Sequence, residues 1–305
     1  MTDPTASNRL DPARAGAAAV SGYVVWGLSP LFYQLLAFAD PVEIVLQRAI
    51  WSAPVLLAIL VTARRWPATV QILADRRTLG VLLLTSALIS ANWWTFIYAV
   101  NTGQVLSVSL GYFINPLMNV AVGVAILGER FGRWRAIAVA LAALGVINQI
   151  ITVGEVPVLA LFLAGTFCAY GYVRKTLAVD GRIGLFWETV IIGAPSLVAL
   201  GVLEASGGGH FFDGPASALL LILTGPMTVA PLLLFILGAR GLPLAVIGAL
   251  QFIAPTLQFM IGVMGGEPFT PAHAITFALI WSGLAVFVAE LLWFEHTRKT
   301  KAARP

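Results

Sequence analysis

Charge is what this sequence has least of. Of its 305 residues only 10% are Asp, Glu, Lys or Arg, against about 25% in ordinary soluble proteins. A soluble domain cannot dress its surface with so few charges, nor hide 59% hydrophobic residues inside. The same figures exclude disorder, which needs low hydrophobicity and high net charge. Cysteine is nearly absent: Cys168 stands alone, so no intramolecular disulfide forms. The three histidines, His210, His273 and His296, lack metal-ligand spacing, and neither a metal nor another cofactor is expected. GxSxG, Walker and HExxH patterns are missing too. With no room in its loops for a nucleotide-binding domain, the chain is not expected to be an ATP-driven pump or a soluble enzyme.

What is present is a series of long hydrophobic runs. A bilayer core about 30 Å thick takes about 20 apolar residues of helix. Ten runs of that length occur: 15–37, 41–63, 78–100, 104–127, 134–153, 156–174, 183–204, 216–239, 242–264 and 271–294. They are continuous, not alternating, which selects helices over barrel strands. Pro41, Pro157 and Pro271 stand at or beside helix starts, where a missing N–H costs little. The expected class is an all-α membrane protein. The first run is too long for a signal-peptide core, and Asp3 and Asp11 flank it.

Basic residues then set the orientation. With the N-terminus cytoplasmic, the inner segments hold Arg9, Arg14, Arg64, Arg65, Arg76, Arg77, Arg130, Arg133, Arg135, Arg174, Lys175, Arg182, Arg240, Arg298, Lys299, Lys301 and Arg304. That is 17 of 18 Lys and Arg residues, while the outer loops carry Asp40, Glu155, Asp213 and Glu267. The asymmetry obeys the positive-inside rule with both termini cytoplasmic. The pI of about 9.5 therefore reads as topology, not as nucleic-acid binding.

An internal repeat appears at an offset of 139 residues. Phe113-Ile114-Asn115-Pro116 falls on Phe252-Ile253-Ala254-Pro255, and Phe96-Ile97 on Phe235-Ile236. With one residue dropped, Gly128-Glu129-Arg130-Phe131 falls on Gly266-Glu267-Pro268-Phe269. The unit is five helices, giving repeats at 15–153 and 156–294, flanked by a cytoplasmic segment 1–14 and a basic tail 295–305. An odd unit makes the repeats inverted, as in secondary transporters. The expected fold is ten transmembrane helices in two inverted five-helix repeats around a central cavity. Chance similarity between apolar helices is the competing reading. Pro116 and Pro255 lie near mid-span and are expected to be helix kinks, marking either a central site or plain packing bends.

Polar residues inside the runs give the candidate site. Tyr112, Asn115 and Asn119 share one helix face, and the repeat places Gln251 and Gln258 on its equivalent. Trp26, Ser29 and Tyr33 form a face in the first run, with Asn92, Thr95 and Trp94 in the third. Helix–helix hydrogen bonding competes with a cavity lining for each of them. Arg48 is the one basic residue inside a run away from its ends. It either faces a cavity, where its planar fork suits an anion, or snorkels toward Glu43. Glu188 reads as a possible coupling carboxylate, an Arg partner or an interfacial group, and Glu290 as interfacial. Ala138, Ala142 and Gly145 have small-xxx-small spacing, for packing within the chain or in a possible homodimer. Ser206-Gly207-Gly208-Gly209 reads as an external connector.

Several of these stretches carry a family resemblance. They are Asn92-Trp93-Trp94-Thr95-Phe96-Ile97-Tyr98-Ala99-Val100-Asn101, Ser109-Leu110-Gly111-Tyr112-Phe113-Ile114-Asn115-Pro116-Leu117 and Leu127-Gly128-Glu129-Arg130. With Trp26-Gly27, Leu46-Gln47-Arg48, Tyr170-Gly171 and Gln251-Phe252-Ile253-Ala254-Pro255-Thr256, they resemble the RarD subfamily of EamA-type transporters, in the drug/metabolite transporter superfamily. The likeness covers nearly the whole chain. It implies a bacterial inner-membrane location, small-molecule transport in the export direction, and an association with chloramphenicol sensitivity or resistance. One departure is Gln47, where relatives often have His before the Arg.

The leading expectation is a secondary transporter working by alternating access, with the lipid bilayer and a small-molecule substrate as partners. Arg48, Tyr112, Asn115, Asn119, Gln251, Gln258, Trp26, Tyr33, Asn92 and Trp94 are the expected cavity residues. A non-transporting membrane sensor or assembly subunit is the alternative, and a membrane enzyme acting on lipid-linked substrates a third.

Overall fold

Proline and aspartate mark where many of the helices begin. The computed structural model describes residues 11–127, 132–153, 156–175, 177–242 and 244–302. Arg9, Glu129, Arg130, Glu155 and Arg304 lie outside the described residues, as do the side chains of Arg240, Arg298, Lys299 and Lys301. The helices are α1 (Pro12–Gln34), α2 (Pro41–Thr62), α3 (Trp66–Gln71), α4 (Arg76–Asn101), α5 (Val105–Leu127) and α6 (Arg133–Val153). They continue as α7 (Val158–Lys175), α8 (Gly181–Ala205), α9 (Pro215–Gly241), α10 (Leu244–Leu250), α11 (Ile253–Met264) and α12 (Pro271–Ala302). Side chains of Asp40, Asp75 and Asp180 accept backbone N–H bonds from Val42, Arg77 and Arg182 at the starts of α2, α4 and α8. Each satisfies a donor that the first turn leaves unpaired. The Arg182 side chain binds Asp180 as well and pulls its carboxyl down to about 2.

Nine helical segments among the described residues are long and apolar enough to cross a membrane. The run at 156–174 falls on α7, whose 18 residues end on Arg174 and Lys175 and do not reach that standard. The run at 242–264 is in two pieces, α10 and α11, parted at Gln251 and Phe252. Pro255 is the third residue of α11, where its missing N–H leaves no helical bond unmade. By contrast α5 is continuous through Pro116. The short α3 lies between α2 and α4, outside the ten expected runs.

The helices gather into two compact units. One comprises Met1–Leu28, Gln104–Ala164 and Pro231–Pro305, the other Ser29–Gly103 and Gly165–Ala230. Each unit draws on both halves of the chain.

In the first unit α6 lies along α12 through small residues. A Cβ on Gly283 would stand 2.7 Å from the Ala138 carbonyl, and one on Gly145 would stand 2.9 Å from Ile280. The Ala138–Ala142–Gly145 stripe is thus occupied within the chain. Asn148 donates to the Ala272 carbonyl and the Thr276 hydroxyl, both at 3.0 Å, and Arg135 pairs with Glu290 at 3.3 Å. Glu290, expected at the interface, is buried (8% exposed) because Arg135 reaches it across this seam. The Phe113 ring stacks on that of Phe252, its counterpart in the repeat, at 6.4 Å and 20°. Ser109 donates to the Pro255 carbonyl at 2.8 Å. Glu267 accepts the Val105 and Leu106 N–H groups at 2.6 and 2.8 Å, capping α5 from the far end of α11.

The second unit is built on α2, α4, α8 and the first part of α9. Gly225 lies so close to α2 that a Cβ there would stand 2.3 Å from the Trp51 carbonyl, and the Ser52 hydroxyl donates to Gly225.

Candidate functional site

The inward face of α4 organises the second unit. Thr85, Ile89, Asn92, Trp93 and Phe96 are all buried and recur at spacings of three and four, one side of a helix. Each polar member meets a partner from another helix. Asn92 donates to the Thr166 hydroxyl at 2.9 Å. Thr85 donates to Glu188 at 2.7 Å, and the Tyr170 hydroxyl donates to the same carboxylate at 3.0 Å. Glu188 is fully buried, and the Arg174 guanidinium stands 3.7 Å from it. Arg174, in the last turn of α7, turns toward it, its side chain 13% exposed. Room for it comes from Gly184: a Cβ there would overlap the guanidinium. Helix α8 thus carries both the acid and the gap that lets the base approach.

The other end of this face holds Arg48. It is 8% exposed, and its guanidinium stands 4.2 Å from the Trp93 ring centroid and 5.5 Å from that of Tyr33. Snorkelling toward Glu43 does not occur. Glu43 is fully buried and accepts both the His210 N–H at 2.9 Å and a 2.7 Å contact from His210 Nδ1. The buried Nε of Arg48 and the buried hydroxyl of Tyr33 have no hydrogen-bond partner. Burying an unpaired charge costs several kcal/mol even after relaxation, whereas a cation–π contact returns about 0.5–2 kcal/mol. The two rings cover only part of the cost.

His210 also ties down the connector between α8 and α9. The Glu43 hydrogen bond holds its imidazole above the ordinary value of 6.5. Phe211 donates its N–H to Glu204 and stacks on Trp51.

In the first unit Gln258 donates to the Trp26 carbonyl at 3.3 Å. The Oε1 of Gln258 and the Oδ1 of Asn115 are buried without partners. Tyr112, Trp26 and Gln251 are half-buried, and Gln251 sits in the break between α10 and α11. An apolar groove of about 440 Å³ runs between Phe113, Phe252, Thr256 and Trp281.

Two expected cavity residues are exposed. Trp94 is 41% exposed and stacks on Tyr98, whereas Trp93 is the buried ring of the pair. One residue is a 100° turn on a helix. Asn119 is exposed, one turn beyond the buried Asn115. The expected residues divide between the units: Tyr33, Arg48, Asn92 and Glu188 in one, Trp26, Tyr112, Asn115, Gln251 and Gln258 in the other. Thr85, Thr166, Tyr170 and Arg174 were not foreseen as partners. The i, i+4, i+8 spacing of Thr166, Tyr170 and Arg174 was the available signal.

Comparison with known proteins gives a consistent set of relatives. Residues 14–149 match the model of the EamA-like transporter family. Protein RarD of Escherichia coli is 38% identical over 280 residues, covering 91% of this chain and 95% of that protein. The uncharacterized transporter YojE of Bacillus subtilis is 40% identical, covering 91% and 94%. The chloramphenicol-sensitive protein RarD of Pseudomonas aeruginosa is 32% identical, covering 83% and 86%. A solved crystal structure at 18% identity superposes with a TM-score of 0.57, covering 90% of this chain and 97% of that one, a likeness of fold alone.

Proposed function

Since the chain belongs to the EamA-like transporter family and groups within it with the RarD proteins, we propose that it is a secondary transporter exporting a small metabolite or drug-like molecule across the bacterial inner membrane. The nine membrane-length helices and α7 make ten spans in two inverted repeats, with both termini cytoplasmic. Movement of the repeats against one another exposes the substrate to one side and then the other.

One observation carries this reading. Of six buried side-chain polar atoms without partners among the described residues, four belong to expected cavity residues: Tyr33, Arg48, Asn115 and Gln258. Native interiors satisfy nearly all such groups. Within each unit taken by itself, a packed interior has no reason to leave such groups open, whereas a ligand-binding surface does, because the ligand supplies the missing partners. Glu188 serves as the coupling group. It is buried, and hydroxyls and Arg174 hold it from two other helices, α4 and α7. The chloramphenicol link in one relative's name puts that compound in the test set.

The test is flux into proteoliposomes across a small-molecule library that includes chloramphenicol, with and without an imposed pH gradient. Arg48→Gln and Asn115→Ala abolish flux while the protein still inserts and folds. Wild-type flux in both variants, or no gradient-dependent flux of any solute, overturns the reading.

A further inference from the structure

We propose that Arg48 is the grip for a singly charged organic carboxylate. This rests on the transport reading above and deepens it, by giving the chemistry of the cargo at one cavity residue. The first support is geometric. The Trp93 and Tyr33 rings face the guanidinium at 4.2 and 5.5 Å, but an aromatic face offers no acceptor to the N–H edge of that cation. The buried Nε on that edge has no partner, and neither does the Tyr33 hydroxyl. A carboxylate is the planar acceptor that meets the Nε and Nη hydrogens with two parallel bonds.

The second support is a count of charges. Within the described residues of this unit the buried carboxylates are already committed, Glu43 to His210 and Glu188 to Thr85, Tyr170 and Arg174. The inward-turned cations Arg174 and Arg182 have Glu188 and Asp180. Arg48 is therefore left with one positive charge to balance. A monoanion balances it, whereas a phosphate dianion would leave a buried charge uncompensated. The third support is the wall. Trp93 and Tyr33 are joined by Phe96, whose ring meets Tyr33 edge-on at 5.7 Å. Such a lining suits a ligand whose body is planar and apolar behind its carboxylate.

The experiment titrates the full chain in lipid nanodiscs with benzoate against benzamide and phenylacetate against phenylacetamide, read by tryptophan emission. Both carboxylates change the emission saturably, and the amides and inorganic phosphate bind about tenfold more weakly or worse. Arg48→Gln weakens carboxylate binding about tenfold or more, and Arg48→Lys, which keeps the charge but loses the fork, falls between. Equal responses to acid and amide, phosphate as strong as carboxylate, or no response to either carboxylate overturns the proposal. The matched pairs decide on the wild-type chain alone, should a variant fail to fold. Carboxylate binding without flux of any solute sinks the transport reading and leaves the grip standing. Flux of neutral solutes without carboxylate binding does the reverse.

Discussion

The Glu188 carboxylate on α8 receives the Thr85 hydroxyl of α4 at 2.7 Å, both residues fully buried. The acid is thus fixed on one side by a hydroxyl and faced on another by Arg174 at 3.7 Å. Removing it strands a buried guanidinium. Glu188→Ala is expected to destabilise the protein by about 3 kcal/mol or more, as broken buried pairs do. The double variant Glu188→Gln, Arg174→Gln recovers most of that loss. Thermal melts of wild type, Glu188→Gln, Arg174→Gln and the double variant in detergent check this, and strict additivity of the two single losses would contradict it.

Gly184 gives a separate handle on the same pair. A methyl there occupies the place of the Arg174 guanidinium, which is the far end of a flexible side chain and can swing away. Gly184→Ala therefore lets the guanidinium swing to water but leaves the buried Glu188 charge to its two hydroxyl donors, so it costs less than Glu188→Ala yet still about 1–3 kcal/mol. The expected outcome is a melt between those of wild type and Glu188→Ala, with altered dependence of flux on the pH gradient. A melt and a gradient dependence both like wild type would show that Arg174 does not act through this pair.

The contact between His210 and Glu43 makes the connector after α8 sensitive to pH. The folded-state pKa of His210 is raised above 6.5 by Glu43, so its stabilising charge is fully present below 6.5. That contribution is lost as pH rises through the raised value. Hydrogen exchange at the His210 and Phe211 amides should be slow at pH 6 and faster as the imidazole deprotonates. Glu43→Gln flattens the dependence. Exchange that is independent of pH, after correction for intrinsic rates, would remove the ion pair from the account.

Glu267 closes the first turn of α5 from a distance of 162 residues in sequence. Its two accepted N–H bonds act as a remote N-cap, and the negative charge also suits the helix dipole. Glu267→Ala should cost about 1–2 kcal/mol, and Glu267→Gln less, because the amide oxygen still accepts. Comparing the two melts separates the cap from a mere change in loop composition.

Trp93 and Trp94 offer the sharpest contrast between neighbours. Trp93 is 7% exposed and lies under Arg48, while Trp94 is 41% exposed beside Tyr98. Trp93→Leu is expected to cost about 3 kcal/mol, through lost packing and the lost cation–π contact. Trp94→Leu stays within about 0.5 kcal/mol. Equal costs in paired melts would mean that the inward ring has been misassigned.

How much of this was legible beforehand depended on the range of the interaction. Helices were legible because each apolar run carries its own signal, and Pro41 and Pro271 stand at the starts of α2 and α12. Arg48 was legible as an anomaly, because one cation in an apolar run needs a reason. Its partners were not. Trp93 and Trp94 differ by one position in a stretch of polar and aromatic residues, and only the packed neighbour tells which ring turns inward. Tyr112, Asn115 and Asn119 share a face by spacing, yet Asn119 is exposed, because burial depends on what lies opposite the face. Glu188 was visible, but Thr85, Tyr170 and Arg174 come to it from elsewhere in the chain. The split of the run at 242–264 was hinted at by Pro255, although the break falls at Gln251 and Phe252.

The two compact units have a consequence for how the chain can be divided. Each is assembled from stretches on both sides of residue 155, and α1, α7 and α9 each contribute to both. A single cut between α6 and α7 therefore yields two fragments, neither of which contains a whole unit. Expressed separately, such halves have no complete core to fold around; expressed together, they have to recover their helices from one another.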